Sequence, residues 1–185
     1  MRLLKVVRTL FRSKGEFAED LKRRGAGREL VRFCEDYGAD ILAAWTACPR
    51  GNWCIEIAAR SGLNRGLVVH AADDLAKEGA PSAREVDGSG NLERFAAGGD
   101  LEEFCLYIEA LCFSLVEATP TVRSARAAME EARDWGRFQE MVAAGDAYDS
   151  AYLRAYADLA RIVRRRIPAE LVRTAFLGQP NHPYR

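Results

Sequence analysis

Asp100-Leu101-Glu102-Glu103-Phe104-Cys105-Leu106-Tyr107-Ile108-Glu109-Ala110-Leu111-Cys112-Phe113-Ser114-Leu115-Val116 carries both a helix start and a helix face. Asp100 followed by Glu103 makes a capping-box-like beginning, and the acidic side chains of the first turn suit the positive end of the helix dipole. Leu101, Phe104, Cys105, Ile108, Leu111, Cys112 and Leu115 then recur at three-and-four spacing. Leu106, Tyr107, Phe113 and Val116 cover much of the remaining circumference, so this segment is expected to be the central, buried helix of an all-α bundle.

Helical signals continue downstream. Thr119-Pro120 supplies a cap position and a first-turn proline, and Ala125, Ala128, Met129, Ala132 and Trp135 share a face opposite Arg123, Arg126, Glu130 and Arg137. An amphipathic helix follows over about Ala147–Ile167 and ends at Pro168, with a short helix over Ala169–Leu177 and a frayed tail at 179–185. Upstream, Gly15, Gly25, Gly27, Gly38, Pro49, Gly51, Gly62 and Gly79 cut the chain into short segments. These read as helices over Leu3–Arg12, Glu16–Arg23, Arg28–Tyr37, Asp40–Ala47, Trp53–Arg60 and Arg65–Lys77, the last capped by Asn64. Ala80–Gly99, with one proline and four glycines, reads as a mobile loop in which only Val86, Leu92 and Phe95 could anchor. No Asn-Gly or Asp-Gly hairpin joins two β-branched runs. The expectation is one all-α domain over 1–178, a multi-helix bundle of eight to nine helices.

Composition narrows the partners. Twenty-seven basic residues balance twenty-seven acidic ones, so there is no global field toward nucleic acid, and no apolar run approaches the ~20 residues of a membrane span. Five cysteines without zinc-type spacing read as reduced, core-packing thiols in a cytoplasmic chain. The segment 2–14 sets Arg2, Lys5, Arg8, Arg12 and Lys14 among six apolar side chains, with no acid before Glu16. It reads as an edge helix with a solvated basic side, or as a contact with an acidic membrane surface or a partner groove.

Chemistry-bearing groups are sparse. His70 precedes Asp73 and Asp74 by three and four residues, the spacing of a local ion pair, and no nucleophile motif accompanies it. Carboxylates recur at helical spacing, but neither histidine follows a glutamate by three residues as a di-metal bundle requires. The expectation is therefore no catalytic residue, no metal and no cofactor.

The most distinctive stretch is Trp45-Thr46-Ala47-Cys48-Pro49-Arg50-Gly51-Asn52-Trp53, which leads into a helix ending Ala58-Ala59-Arg60. It resembles the Trp-x-x-Cys and Asp-Trp-Leu-x-x-Leu-Ala signature of helical, alanine-rich immunity proteins of bacterial polymorphic toxin systems. Glu131-Ala132-Arg133-Asp134-Trp135 is similar to their Glu-Ala-Arg-Ala-Trp element, and Leu159–Arg164 with Ile167-Pro168 to their closing helix. Asn52 stands where that family has Asp, and Cys54 and Glu56 interrupt its apolar run. The resemblance implies a non-enzymatic protein that occludes a toxin domain. The alternative is a helical scaffold or adaptor in a larger assembly. Arg50, Asn52, Trp53, Arg133 and Asp134 form the expected partner-facing set, with the tryptophans at positions 53 and 135 as anchors and their polar neighbours pointing outward.

Overall fold

A computed structural model describes residues 16–79 and 90–178. Ten helices make up these residues: α1 (Glu16–Arg23), α2 (Arg28–Glu35), α3 (Ile41–Ala47), α4 (Gly51–Arg60), α5 (Arg65–Gly79), α6 (Asn91–Ala96), α7 (Leu101–Ala118), α8 (Pro120–Asp134), α9 (Phe138–Arg166) and α10 (Ala169–Gly178). The all-α expectation is met, with no strand among the described residues and slightly more helices than the glycine spacing suggested. Leu3–Arg12, the first ten residues of the 80–99 loop and the 179–185 tail fall outside the described residues.

Local chemistry explains most boundaries. Asp100 accepts from the Glu103 N–H at 2.9 Å and Asp40 from the Ala43 N–H at 2.9 Å, so α7 and α3 start at carboxylate caps. Asn64 Oδ1 accepts from the Gly66 N–H at 2.9 Å and opens α5. Thr119 takes the cap position of α8 but donates its hydroxyl backward to the Leu115 carbonyl at 3.1 Å. Pro120 at the first turn, which has no N–H to satisfy, sets that start instead.

The core is one cluster in which α9 packs on α4, α5, α7 and α8, while α10 covers α3 and α1 pairs with α2. Trp45, Phe17, Phe104 and Phe176 are its largest fully buried side chains. Phe17 meets Phe176 edge-on at 5.1 Å, which ties the first described helix to the last.

Three expectations are corrected. The 80–99 segment is not loop throughout: Asn91–Ala96 is helical because Leu92 and Phe95 are buried. Phe95 stacks on Phe104 at 3.9 Å, and Arg65 donates to the Phe95 and Gly99 carbonyls at 2.9 and 2.8 Å. Helix α7 is not buried all round, since Leu106 and Phe113 are 67% and 49% exposed. Helix α9 begins at Phe138 and runs 29 residues, about 43 Å, and its buried positions start only at Ala155. With the end of α8, which buries only Val122 and Ala132, its first turns form a hairpin whose tip projects beyond the bundle.

The cations that close α9 do more than cap it. Arg164 donates to the Cys48 carbonyl at 2.6 Å, Arg165 pairs with Glu78, and Arg166 holds Asp74 through two bonds of 2.6 and 3.0 Å. Helix α9 approaches α4 so closely that a Cβ on Gly51 would sit 2.7 Å from Leu159 Cβ.

Gly51→Ala is expected to cost about 2 kcal/mol through overpacking against α9. Gly145→Ala, in α9 with open space around it, is expected to gain about 0.5–1 kcal/mol through reduced chain entropy; urea unfolding checks both. The hydrogen bonds from Arg166 hold the Asp74 carboxyl below its ordinary pKa. Its contribution is thus present above the usual carboxylate range and lost as pH falls through the lowered native pKa. Asp74→Asn should therefore be less stable than wild type at pH 7, with the gap closing below about pH 4 in a pH series of melting curves.

Candidate functional site

The structure separates the expected partner-facing residues into two groups. Arg50, Asn52 and Trp53 lie at the α3–α4 turn, whereas Arg133 and Asp134 lie at the end of α8.

At the first group, the extended backbone of Arg50 precedes α4, and its guanidinium stacks over Trp53 at 4.6 Å and Tyr156 at 5.5 Å. It also donates to Glu29 at 3.2 Å, so Arg50 works partly as a brace between α2, α4 and α9. Trp53 leans on Phe33 at 5.5 Å and is half-buried, as an anchor should be. Asn52 Oδ1 is buried with no hydrogen-bond partner.

Asn52 and Trp53 line a cleft of about 270 Å³ between the α1–α2 turn, α4 and α7. Its floor is Arg60, whose side chain is 1% exposed. Arg60 Nε donates to Glu56 at 2.8 Å, and its two terminal nitrogens hold Glu102 at 2.9 and 2.8 Å. Arg60 also donates to the Arg24 carbonyl, and Arg24 returns a bond to the Arg60 carbonyl at 2.7 Å. The Gly27 N–H donates to Glu56 at 3.2 Å. Burial alone would lower the Arg60 pKa, but the hydrogen bonds to Glu102 and Glu56 outweigh it and hold the guanidinium above its ordinary value. Arg60 and its two carboxylates were not expected to act as a unit. Glu56 and Arg60 sit four apart in sequence, which is a usable signal, but Glu102 is forty-two residues away.

Thiol chemistry is disfavoured. Burial pushes Cys34, Cys105 and Cys112 up to about 12. Cys54 is raised by burial, and its bond to Cys48 lowers Cys48, but both sulfurs are sealed under α9. His70 is exposed, and the two carboxylates that its spacing pointed to are held by Lys77 and Arg166. No group of three or more metal-ligating side chains occurs among the described residues.

The second group sits on the hairpin. Arg133 and Asp134 are exposed and face each other at 3.7 Å. Trp135, expected to be an anchor, is 70% exposed: Gly136, with φ of +65°, turns the chain immediately after it and leaves no helix over the ring. Phe138 at 71% and Val142 at 48% continue the apolar surface along α9, flanked by the Arg137–Glu140 pair at 3.1 Å. Trp-Gly-Arg followed by Phe is visible in the sequence as a turn, but only the position of the turn, beyond the bundle, shows that the bundle does not cover the ring, over which Arg137 lies at 6.0 Å.

No family model, curated protein or solved structure matches the chain.

Arg60→Ala is expected to cost about 3 kcal/mol or more in urea unfolding, because it leaves the partly buried Glu56 carboxylate without its ion pair and removes the side chain that ties α4 to Glu102 on α7 and to the Arg24 carbonyl. A loss under about 1 kcal/mol would show that the ion-pair network is dispensable.

Proposed function

We propose that this chain is a non-enzymatic protein-binding domain that presents the end of the α8–α9 hairpin to another protein. The observation that carries this reading is the exposure of Trp135, Phe138 and Val142 together at that end. Large aromatic side chains standing free of a bundle mark a contact surface. Tryptophan and arginine are the residues most often found to dominate interface energies, and Arg133 and Arg137 flank the ring. The resemblance to immunity proteins makes a toxin domain the specific partner, neutralised by occlusion without chemistry. The raised thiols and the pre-engaged carboxylates around His70 favour binding over catalysis.

Affinity capture from the native host with wild type and Trp135→Glu/Phe138→Glu tests the reading. Both forms should fold with stabilities within about 1 kcal/mol, because the changed side chains are exposed. The captured partner should then bind the variant about 30-fold more weakly, equivalent to losing one hot spot. Equal binding by the two forms rules out the hairpin end as the interface. Co-expression of the captured partner then separates the specific readings: growth arrest relieved by wild type but not by the variant supports a toxin, and a partner that arrests nothing moves the chain to the scaffold class.

A further inference from the structure

The cleft floored by Arg60 has a one-sided hydrogen-bond inventory. Arg60 spends four of its five N–H donors, one on Glu56, two on Glu102 and one on the Arg24 carbonyl. Glu56 takes the bonds from Arg60 and from the Gly27 N–H on the same oxygen, Oε1. Its Oε2 receives no hydrogen bond among the described residues, although the side chain is only 16% exposed. Asn52 belongs to the same lining, and its Oδ1 is buried without a donor. Glu109, exposed at the rim, makes no ion pair among the described residues. Three acceptor groups, two on α4 and one on α7, thus border one space and lack a donor.

Charge selects the sign of a guest. The lining holds Glu29, Glu56, Glu102 and Glu109 against Arg28 and Arg60. An anion would face four carboxylates, and the buried cation beneath it is already neutralised by Glu56 and Glu102. Arg28 is exposed at the head of α2, where water and salt screen its repulsion, whereas the largely buried Glu56 acts through a lower dielectric. We propose that this cleft receives one cationic nitrogen head, a guanidinium or an ammonium on an alkyl stem, whose N–H groups donate to Glu56, Asn52 and Glu109.

Size and surface fit such a guest. Leu30, Trp53 and Leu106 supply an apolar wall for the stem. The volume of about 270 Å³ equals roughly nine waters at ~30 Å³ each, room for one long side chain and below the ~300–1,000 Å³ usual for larger ligands. Trp53 already carries the Arg50 guanidinium over its ring at 4.6 Å, so recognition of the guest rests on the acceptor oxygens rather than on that ring. A guanidinium, with five donors in one plane, reaches several oxygens at once, and an ammonium offers three. The head belongs to an arginine or lysine of a protein partner or to a free polyamine. Neither source involves the hairpin end.

Heteronuclear NMR titration of the full chain tests the proposal with n-butylguanidinium, Nα-acetyl-L-arginine amide and spermidine, against neutral butyramide and anionic butyrate. The backbone amide signals of Gly27, Asn52, Trp53 and Glu109 should shift with n-butylguanidinium at a Kd on the order of 1 mM, as suits a small fragment. Butyramide and butyrate should bind at least about tenfold more weakly. Glu109→Gln, at an exposed position, and Asn52→Ala, which removes the oxygen without a donor, should each weaken n-butylguanidinium binding about fivefold. Asn52→Ala should do so with no loss of stability in urea unfolding, because a buried acceptor without a partner contributes none. Tighter binding of Nα-acetyl-L-arginine amide than of spermidine assigns the cleft to a partner's side chain, and the reverse order assigns it to a free polyamine. Absence of shifts at the cleft with all three cations overturns the proposal. Butyramide binding as well as n-butylguanidinium also overturns it, as does unchanged affinity in the Glu109→Gln/Asn52→Ala double variant.

Discussion

The Arg60 guanidinium is the point on which the lower half of the bundle converges. Its donors reach Glu56 on its own helix, Glu102 at the head of α7 and the Arg24 carbonyl at the end of α1. An uncompensated buried charge is expensive, so α1, α4 and α7 are held to the one arrangement that satisfies it. Apolar packing alone would tolerate small slides between these helices, whereas a planar fork with fixed donor directions does not. The cleft beside it follows directly: the turn can approach Arg60 at Gly25, where a Cβ would meet Arg60 and Glu102 at 3.2 and 3.0 Å, and the space left over is walled by Trp53 and Leu106.

Helix α9 organises the other half. Its inner part from Ala155 is packed against α4, α5 and α7, and its last turn sends Arg164, Arg165 and Arg166 out to three different tertiary partners. The outer part packs mainly on α8, and only at Tyr148, which donates to Glu117 on α7 at 3.1 Å, does it begin to meet the core. One helix therefore belongs to two environments, a close-packed core and a projecting arm. The Gly51 contact at 2.7 Å from Leu159 Cβ marks where the core grip is tightest.

What could be read in the sequence was what local physics specifies. The Asp100 cap, the Asn64 cap, the proline at the start of α8 and the apolar period of α7 each depend on residues within two turns of one another, and each is found. Exposure depends on neighbours that the sequence does not bring together. Leu106 and Phe113 read as core because period alone cannot say how many helices surround a given one. Leu92 and Phe95 were visible as the potential anchors of a glycine-rich stretch, yet that they form a helix rests on stacking with Phe104 and on Arg65, both remote contributions. The candidate site was legible only in pieces: Trp53 is an anchor as its setting implied, while Trp135 is not, since the helix that should cover it turns away at Gly136. The Arg60–Glu102 pair could not be foreseen because the two partners meet only once α4 and α7 have docked.

A helix shared between core and arm also sets how the molecule comes apart. Free energy of local opening tracks the buried apolar contacts that must be broken, and these are concentrated inward of Ala155 and nearly absent toward Phe138. Unzipping can therefore start at the Gly136 turn and run down both strands of the hairpin without disturbing Arg60 or Trp45. It meets its first resistance where Tyr148 donates to Glu117 on α7 and Tyr152 packs on the core. The surface proposed to meet a partner is thus the region the molecule can loosen most readily, so association there would tighten the arm while the bundle keeps its form.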